Sequence, residues 1–197
     1  KTWLILVIWL PTPKRIVSSC RLQFYCLPGK RARKSPQKTL PCDIVCELAH
    51  QKAFEIAKAQ KAPCYVIGAD TIVVFENRIL GKPKDSADAV RMVSMLQGNT
   101  HQVYTGVTLI EVCADGSLRE KSFYEETNVH VCQMTKDEIA SYVATGEPLD
   151  KAGAYGIQGT FSIYVSGIEG DYFNVVGLPV SRSFIMNLLS FQNAAHK

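Results

Sequence analysis

The fold of this chain is decided by a stretch near its middle, Tyr65-Val66-Ile67-Gly68-Ala69-Asp70-Thr71-Ile72-Val73-Val74. Its apolar, β-branched run predicts a buried strand that ends in Gly-Ala-Asp-Thr, with the next residues continuing extended. An ionised carboxylate at this place is costly unless it faces a cleft, a metal or a hydrogen-bond donor. Asp70 therefore indicates a strand-end metal ligand or general base, or else a turn or capping residue without chemistry.

Helical and extended patterns alternate on both sides of this strand. Before it, apolar residues at helical spacing predict a helix from about Asp43, with Asp43 as its cap and Lys52 beside the apolar stripe. After it, Glu76-Asn77-Arg78 predicts a hairpin turn and Ser86 to Leu96 a second helix.

The second half of the chain continues in the same way. A long strand is predicted from His101 to Ile110, followed by strands over 121–132 and 161–168. Thr135 and Glu138 have the spacing of a capping box, and a terminal helix is predicted from Pro179. Paired and crossover strands mixed with helices favour an α/β fold with a mixed, twisted sheet. The GxGxxG motif of a Rossmann fold does not occur in the sequence.

Composition places the chain among ordinary globular proteins. It has 197 residues, 47% hydrophobic and 20% charged, with a net charge of +4, which excludes the disordered, collagenous and disulfide-miniprotein classes. The excess positive charge lies in residues 14–38, which hold eight Lys and Arg residues and no Asp or Glu. Such a block is typical of a solvated segment, and a nucleic-acid contact is the alternative.

Seven cysteines are scattered without any CxxC pair. This pattern indicates a reducing compartment, so we expect a cytoplasmic protein. The apolar stretch Thr2–Leu10 is too short to span a bilayer and is compatible with a core strand. We therefore expect no membrane association.

Two further segments have the composition of phosphate-binding loops. Lys82 lies between Gly81 and Pro83, where a lysine can make a point contact with phosphate or can simply be solvated in a turn. The stretch 146–159 combines four glycines with Glu147, Lys151 and Gln158. Glycines let backbone N–H groups approach an anion closely, although a tight structural turn has the same composition.

Six of these stretches, in order and spacing, resemble the Maf family over residues 42–190. They are Ala49-His50-Gln51-Lys52-Ala53, Val66 to Val73, Leu80-Gly81-Lys82-Pro83, Tyr104-Thr105-Gly106-Val107, Glu147 to Gly159, and Gly170 to Pro179. The strand around Phe123–Thr127 is most similar to the vertebrate branch, in which a Maf domain is fused to an acetylserotonin O-methyltransferase-like domain.

The resemblance implies a two-lobed fold, related to the inosine triphosphate pyrophosphatases, with an elongated twisted sheet, flanking helices and a central nucleotide cleft. It implies hydrolysis of a nucleoside triphosphate to the monophosphate and pyrophosphate with a divalent cation, Mg²⁺ or Mn²⁺. Asp70 matches the catalytic Asp and metal ligand, and Lys52 and Lys82 match phosphate-contacting lysines. Thr71 and Gln158 match base-selecting positions of the dTTP/UTP subgroup. A homodimer is usual for the family, and no specific nucleic acid is expected.

The sequence departs from the family at its start. The family's Ser-x-Ser-Pro-Arg-Arg loop has no counterpart, although Arg15 to Arg21 imitates its beginning. We therefore divide the chain into an atypical basic segment, residues 1–41, and a Maf-like domain, residues 42–197. Two hypotheses follow: an active dTTP/UTP pyrophosphatase, or a catalytically impaired Maf-fold protein that binds a nucleotide or a partner. A nucleic-acid binder using residues 14–38 is a third.

Overall fold

The computed structural model describes residues 40–61 and 63–182 with their side chains. It also describes the backbone of two strands, β1 (Ile5–Trp9) and β2 (Arg21–Tyr25). Most of the basic block at residues 14–38 and most of the predicted terminal helix lie outside the described residues; of that helix, residues 180–182 are helical.

Helices and strands follow one another along the described chain. They are α1 (Pro41–Ala57), β3 (Cys64–Phe75), β4 (Arg78–Leu80), α2 (Ser86–Leu96), β5 (Thr100–Val112), β6 (Leu118–Val131), α3 (Lys136–Ala144), β7 (Val165–Glu169) and α4 (Tyr172–Val176). Short 3₁₀ turns occupy Glu147–Asp150, Ala152–Ala154 and Thr160–Tyr164. The predicted α/β class is confirmed.

The strands form one sheet in the order β2-β1-β3-β5-β6-β7, with β4 paired to β3. β1 runs antiparallel to both β2 and β3, and β7 runs antiparallel to β6. The predicted hairpin between β3 and β4 is confirmed. Its two turn residues, Glu76 and Asn77, have φ of 49° and 60°, as a two-residue hairpin turn requires.

The chain divides into two compact units, and boundaries between them fall within β3, β5 and β6. Among the described residues, unit 1 contains those up to Asp70, Gly106–Tyr124 and Arg182, and unit 2 contains Thr71–Thr105 and Glu125–Ser181. Unit 1 has a core of α1 residues packed on β3 and β5, including Ala53, Val66 and Ile110. Unit 2 has a larger core around Leu96, Val103 and Phe161.

Several local predictions can be compared with the observed elements. The capping box of Thr135 and Glu138 is present, and α2 has the predicted bounds. The prediction of Asp43 as a helix cap is wrong, because α1 begins two residues earlier with Pro41 in its first turn, where a missing N–H costs nothing. Residues 161–164 form a 3₁₀ turn rather than a strand.

The position of Asp70 also differs from the prediction. It lies in the middle of the 12-residue strand β3, not at a strand end. The sequence pattern favours a strand end near Gly68 to Thr71, but the β-branched residues after Thr71 continue the strand beyond Asp70.

None of the helices in the described part of the chain combines the length and the apolar character needed to cross a membrane.

Candidate active site

Helix α1 lies directly against the backbone of two strands. A Cβ atom at Gly68 would stand 2.6 Å from the carbonyl oxygen of Ala49, and one at Gly106 would stand 2.2 Å from that of Val45. Only glycine leaves room for such an approach. The α1 residues that face the sheet, Val45, Ala49 and Ala53, are fully buried.

This packing brings Lys52 to Asp70. Side chains two residues apart in a strand point to the same face, so Asp70 shares the α1-facing side of β3 with Gly68. Lys52 lies next to Ala53 in α1, and its ammonium forms an ion pair with Oδ1 of Asp70. It also donates to the carbonyl oxygen of Ala69, at 3.3 Å. Both partners belong to unit 1.

The ion pair is largely removed from water. The Asp70 side chain is 4% exposed and the Lys52 side chain 14%. Burial raises the pKa of Asp70 above its ordinary value, and the charge and hydrogen bond of Lys52 oppose this effect without reversing it. The carboxyl is therefore a stronger base than an exposed aspartate, and it is held next to a cation.

Thr71 follows Asp70 on the opposite face of β3, in unit 2. Its Oγ1 atom lies 2.8 Å from Oγ1 of Thr105 on β5. Gly177 lies close by, since a Cβ atom there would stand 3.5 Å from the Thr71 hydroxyl oxygen. Thr71 is partly exposed, whereas Thr105 is fully buried.

Lys82 lies just after β4, beside the glycine-rich segment. The carbonyl oxygen of Gly81 accepts a hydrogen bond from the N–H of Gly153, at 3.0 Å. Hydrogen bonding and charge from Lys151 lower the pKa of Asp150, and the charge of Lys82 adds to this. Lys151 pairs with Asp150 at 2.8 Å. Two lysines and one carboxylate thus occupy one region of unit 2.

The segment that carries Gln158 is held by Glu147. One carboxylate oxygen of Glu147 accepts hydrogen bonds from the N–H and the hydroxyl of Thr160, at 2.9 and 2.7 Å. The other accepts a longer one from the Tyr142 hydroxyl, at 3.4 Å. Burial alone would raise the pKa of Glu147, but the Thr160 hydrogen bonds lower it below its ordinary value. Gln158 itself is exposed.

The predicted site residues therefore fall into two groups. The structure brings Lys52 and Asp70 into direct contact in unit 1. Thr71, Lys82 and Gln158 belong to unit 2. The phosphate-loop residues sought between Arg15 and Arg21 lie outside the residues whose side chains are described.

Three polar residues in unit 2 lie in the quoted motif stretches, but the sequence predicts no individual role for them. Thr105 and Asn174 are fully buried and hydrogen-bonded, and Glu147 was noted only as a loop carboxylate. Thr105 could have been found, because it alternates with Val103 and Val107 on the buried side of β5. A polar residue at a core position needs a hydrogen-bond partner, which marks it for inspection. No comparable signal marks Glu147.

Comparisons with known proteins show which family the chain resembles. The family described as Maf-like protein matches residues 12–189. The chain is 45% identical over 193 residues to the dTTP/UTP pyrophosphatase of Agathobacter rectalis, covering 92% of this chain and 94% of the relative. It is 43% identical to the dTTP/UTP pyrophosphatase of Lachnoclostridium phytofermentans, covering 92% of this chain and 91% of the relative. It is also 43% identical to the dTTP/UTP pyrophosphatase of Bacillus cytotoxicus, covering 97% of this chain and 96% of the relative.

The fold and these matches define the class, an α/β protein similar to nucleotide pyrophosphatases. The chain belongs to the Maf family. The resemblance inferred from the six motifs is thereby confirmed. The family match also includes residues 12–41, and the division of the chain at residue 41 stays a prediction.

Proposed function

We propose that this chain hydrolyses dTTP or UTP to the monophosphate and pyrophosphate. The observation that carries the proposal is the buried pair of Lys52 and Asp70, at the positions where the family motifs place a phosphate-contacting lysine and the catalytic aspartate. The relatives' shared name, dTTP/UTP pyrophosphatase, supports the substrate class.

In this proposal Asp70 is the general base. Its carboxylate takes a proton from the water that attacks the α-phosphorus, and burial makes it a better proton acceptor than an exposed aspartate. Lys52 orients the carboxylate and offsets negative charge on the phosphates, and Lys82 contributes a second positive charge to them. Pyrophosphate departs with its charge balanced by these ammonium groups.

A divalent metal fits this residue set, with Asp70 as its protein ligand. The described residues contain no group of three or more His, Cys, Asp or Glu side chains able to hold a metal. Mg²⁺ often binds to one or two carboxylates and takes its other ligands from substrate phosphates and water. When bound, such an ion supplies positive charge to the phosphates.

Base selection is assigned to Thr71 and Gln158. Uracil and thymine present one N–H between two carbonyl groups, so a hydroxyl and a carboxamide can match that edge. A purine or cytosine would leave some of these polar groups unpaired, which is a large source of discrimination.

We further propose that the protein is a cytoplasmic homodimer. The five described cysteines are free thiols, in agreement with a reducing compartment.

The test is release of pyrophosphate from dTTP and UTP with Mg²⁺, comparing wild type with Asp70→Asn. We expect the variant to lose at least about a hundredfold in kcat, the usual contribution of a general base. Asp137→Asn is the matched control, because Asp137 is an exposed carboxylate in the first turn of α3. It should retain wild-type turnover.

A second candidate function has one observation in its favour. The sequence has no Ser-x-Ser-Pro-Arg-Arg loop, and each charge-assisted hydrogen bond lost with its arginines is worth about 1.5–3 kcal/mol. A Maf-fold protein that binds a nucleotide or a partner without turnover is the alternative. Wild-type activity no higher than that of Asp70→Asn would select it and reject the pyrophosphatase.

A further inference from the structure

A series of buried hydrogen bonds lies behind Thr71 in unit 2. Oγ1 of Thr71 lies 2.8 Å from Oγ1 of Thr105. The Thr105 hydroxyl in turn donates to the backbone carbonyl of Asn174, at 2.9 Å. Because Thr105 and Asn174 are fully buried while Thr71 is partly exposed, this series connects the interior to a hydroxyl at the surface.

The acceptor at the inner end is held in place. The Asn174 carboxamide donates to the carbonyl oxygen of Val103 at 3.0 Å and to Oγ1 of Thr127 at 2.9 Å. The N–H of Gly177 donates to the same Asn174 carbonyl that accepts from Thr105. These contacts fix the carbonyl oxygen against which the Thr105 hydroxyl is oriented.

The direction of each hydrogen bond follows from counting protons. A hydroxyl has one proton to donate and two lone pairs. The Asn174 carbonyl can only accept, so the Thr105 proton is committed to it, and the Thr71–Thr105 bond forms only if Thr71 donates. The reverse direction would leave two buried oxygens 2.9 Å apart with no proton between them, which is unfavourable in a low-dielectric interior.

We infer that Thr105 is a positioning residue for base selection, because it takes the proton of Thr71 and leaves the Thr71 hydroxyl able only to accept. The inference rests on the proposed function, in which Thr71 faces the base. A hydroxyl that only accepts favours a base that offers an N–H. The ring nitrogen N3 carries a proton in uracil and thymine but is an acceptor in cytosine, so this arrangement selects the first two.

The test uses two non-hydrolysable probes, the α,β-imido analogues of dUTP and dCTP, titrated calorimetrically with Mg²⁺. Wild type should bind the dUTP analogue more tightly. In Thr105→Val the Thr71 proton is released and the hydroxyl can donate to cytosine, so the preference should fall about tenfold, as expected for one hydrogen bond. Thr105→Ser keeps the hydroxyl and should restore the preference.

Two further variants separate positioning from a merely structural role. Thr71→Val removes the acceptor, and adding Thr105→Val to it should cause no further change in preference if Thr105 acts through Thr71. Thr108→Val is the matched control. Thr108 is equally buried in β5, and its hydroxyl lies 2.7 Å from that of Ser122; the preference should stay at the wild-type value.

Several results would overturn the inference. These are an unchanged preference in Thr105→Val, an equal loss in Thr105→Ser, additive effects in the double variant, or no binding of either analogue to wild type. Pyrophosphate release tests the proposed function separately. A wild-type enzyme that hydrolyses dTTP while its preference ignores Thr105 would keep the function and reject the inference.

Discussion

At Lys52 and Asp70, burial and attraction act on one carboxylate in opposite directions. Burial disfavours the charged form, and the neighbouring ammonium favours it. Removing one member of a buried pair is costly, because it leaves an uncompensated charge, whereas removing both is often tolerated. The ion pair therefore links the stability of unit 1 to the chemistry proposed for Asp70.

Lys52→Met should lower the free energy of unfolding by about 3 kcal/mol at neutral pH, since Asp70 stays buried without its cation. The loss should be smaller at pH 5 than at pH 8. The folded pKa of Asp70 lies above the unfolded value, so the folded state retains a proton that the unfolded state releases, and stability falls as the pH rises through the folded pKa.

Urea denaturation at the two pH values measures this effect. The control is the double variant Lys52→Met/Asp70→Asn, which removes both charges and should recover much of the stability. Equal losses in the single and double variants would show that Lys52 acts through packing rather than through charge.

Among the structural elements, the glycine-rich segment 146–159 is held by close contacts between its own glycines and side chains. A Cβ atom at Gly159 would stand 2.0 Å from Oε1 of Glu147, and one at Gly156 would stand 2.7 Å from the aliphatic stem of Lys151. The first contact is with a carboxylate fixed by Thr160. The second is with a flexible side chain that can move aside.

Gly159→Ala should therefore cost about 1–3 kcal/mol, because Glu147 must give up its hydrogen bonds to Thr160. Gly156→Ala, in the same segment, should cost less. Thermal unfolding measures both, and KM for dTTP reports whether displacement of Glu147 also moves Gln158. Equal destabilisation by the two substitutions would contradict the role given to Glu147.

Elements with strong local signals were predictable from sequence, and elements set by distant contacts were not. Thr135 and Glu138 determine the start of α3 through their own hydrogen bonds, so the sequence alone locates it. The sequence predicts a strand that begins at Phe161. Phe161 instead packs between the rings of Tyr142 and Tyr155, and tertiary packing outweighs local propensity there.

The candidate site shows the same division. Asp70 and Lys52 were proposed from motifs, and their contact is seen in the structure. The sequence does not predict the role that we infer for Thr105, because hydrogen-bond direction depends on Asn174, which lies far along the chain. The sequence pattern of a strand indicates that a polar residue is buried, but it does not identify the residue's hydrogen-bond partner.

At the scale of the whole molecule, one buried histidine contributes to pH-dependent stability. His101 is fully buried in unit 2, with Nε2 at 2.7 Å from the Tyr155 hydroxyl. Burial, with a smaller contribution from the charge of His130, lowers the pKa of His101 to about 4. The folded state therefore excludes a proton that the unfolded chain binds near pH 6.

We expect His101 to remove about 3 kcal/mol of stability as the pH falls from 6.5 to 4, because its folded pKa lies below the unfolded value. His101→Gln should flatten this part of the curve of unfolding free energy against pH. Wild type and variant should run parallel above pH 7, where the histidine is neutral in both states. Parallel curves between pH 4 and 6.5 would contradict the assignment.

The close approach of α1 to the sheet has a consequence for engineering the enzyme. Because main chain meets main chain at Gly68 and Gly106, no larger residue at either position can serve as a spacer without lifting the helix. A library randomised there should return glycine almost exclusively. A change in the distance between Lys52 and Asp70 must then be made through substitutions in α1, because the strand positions under the helix accept only glycine.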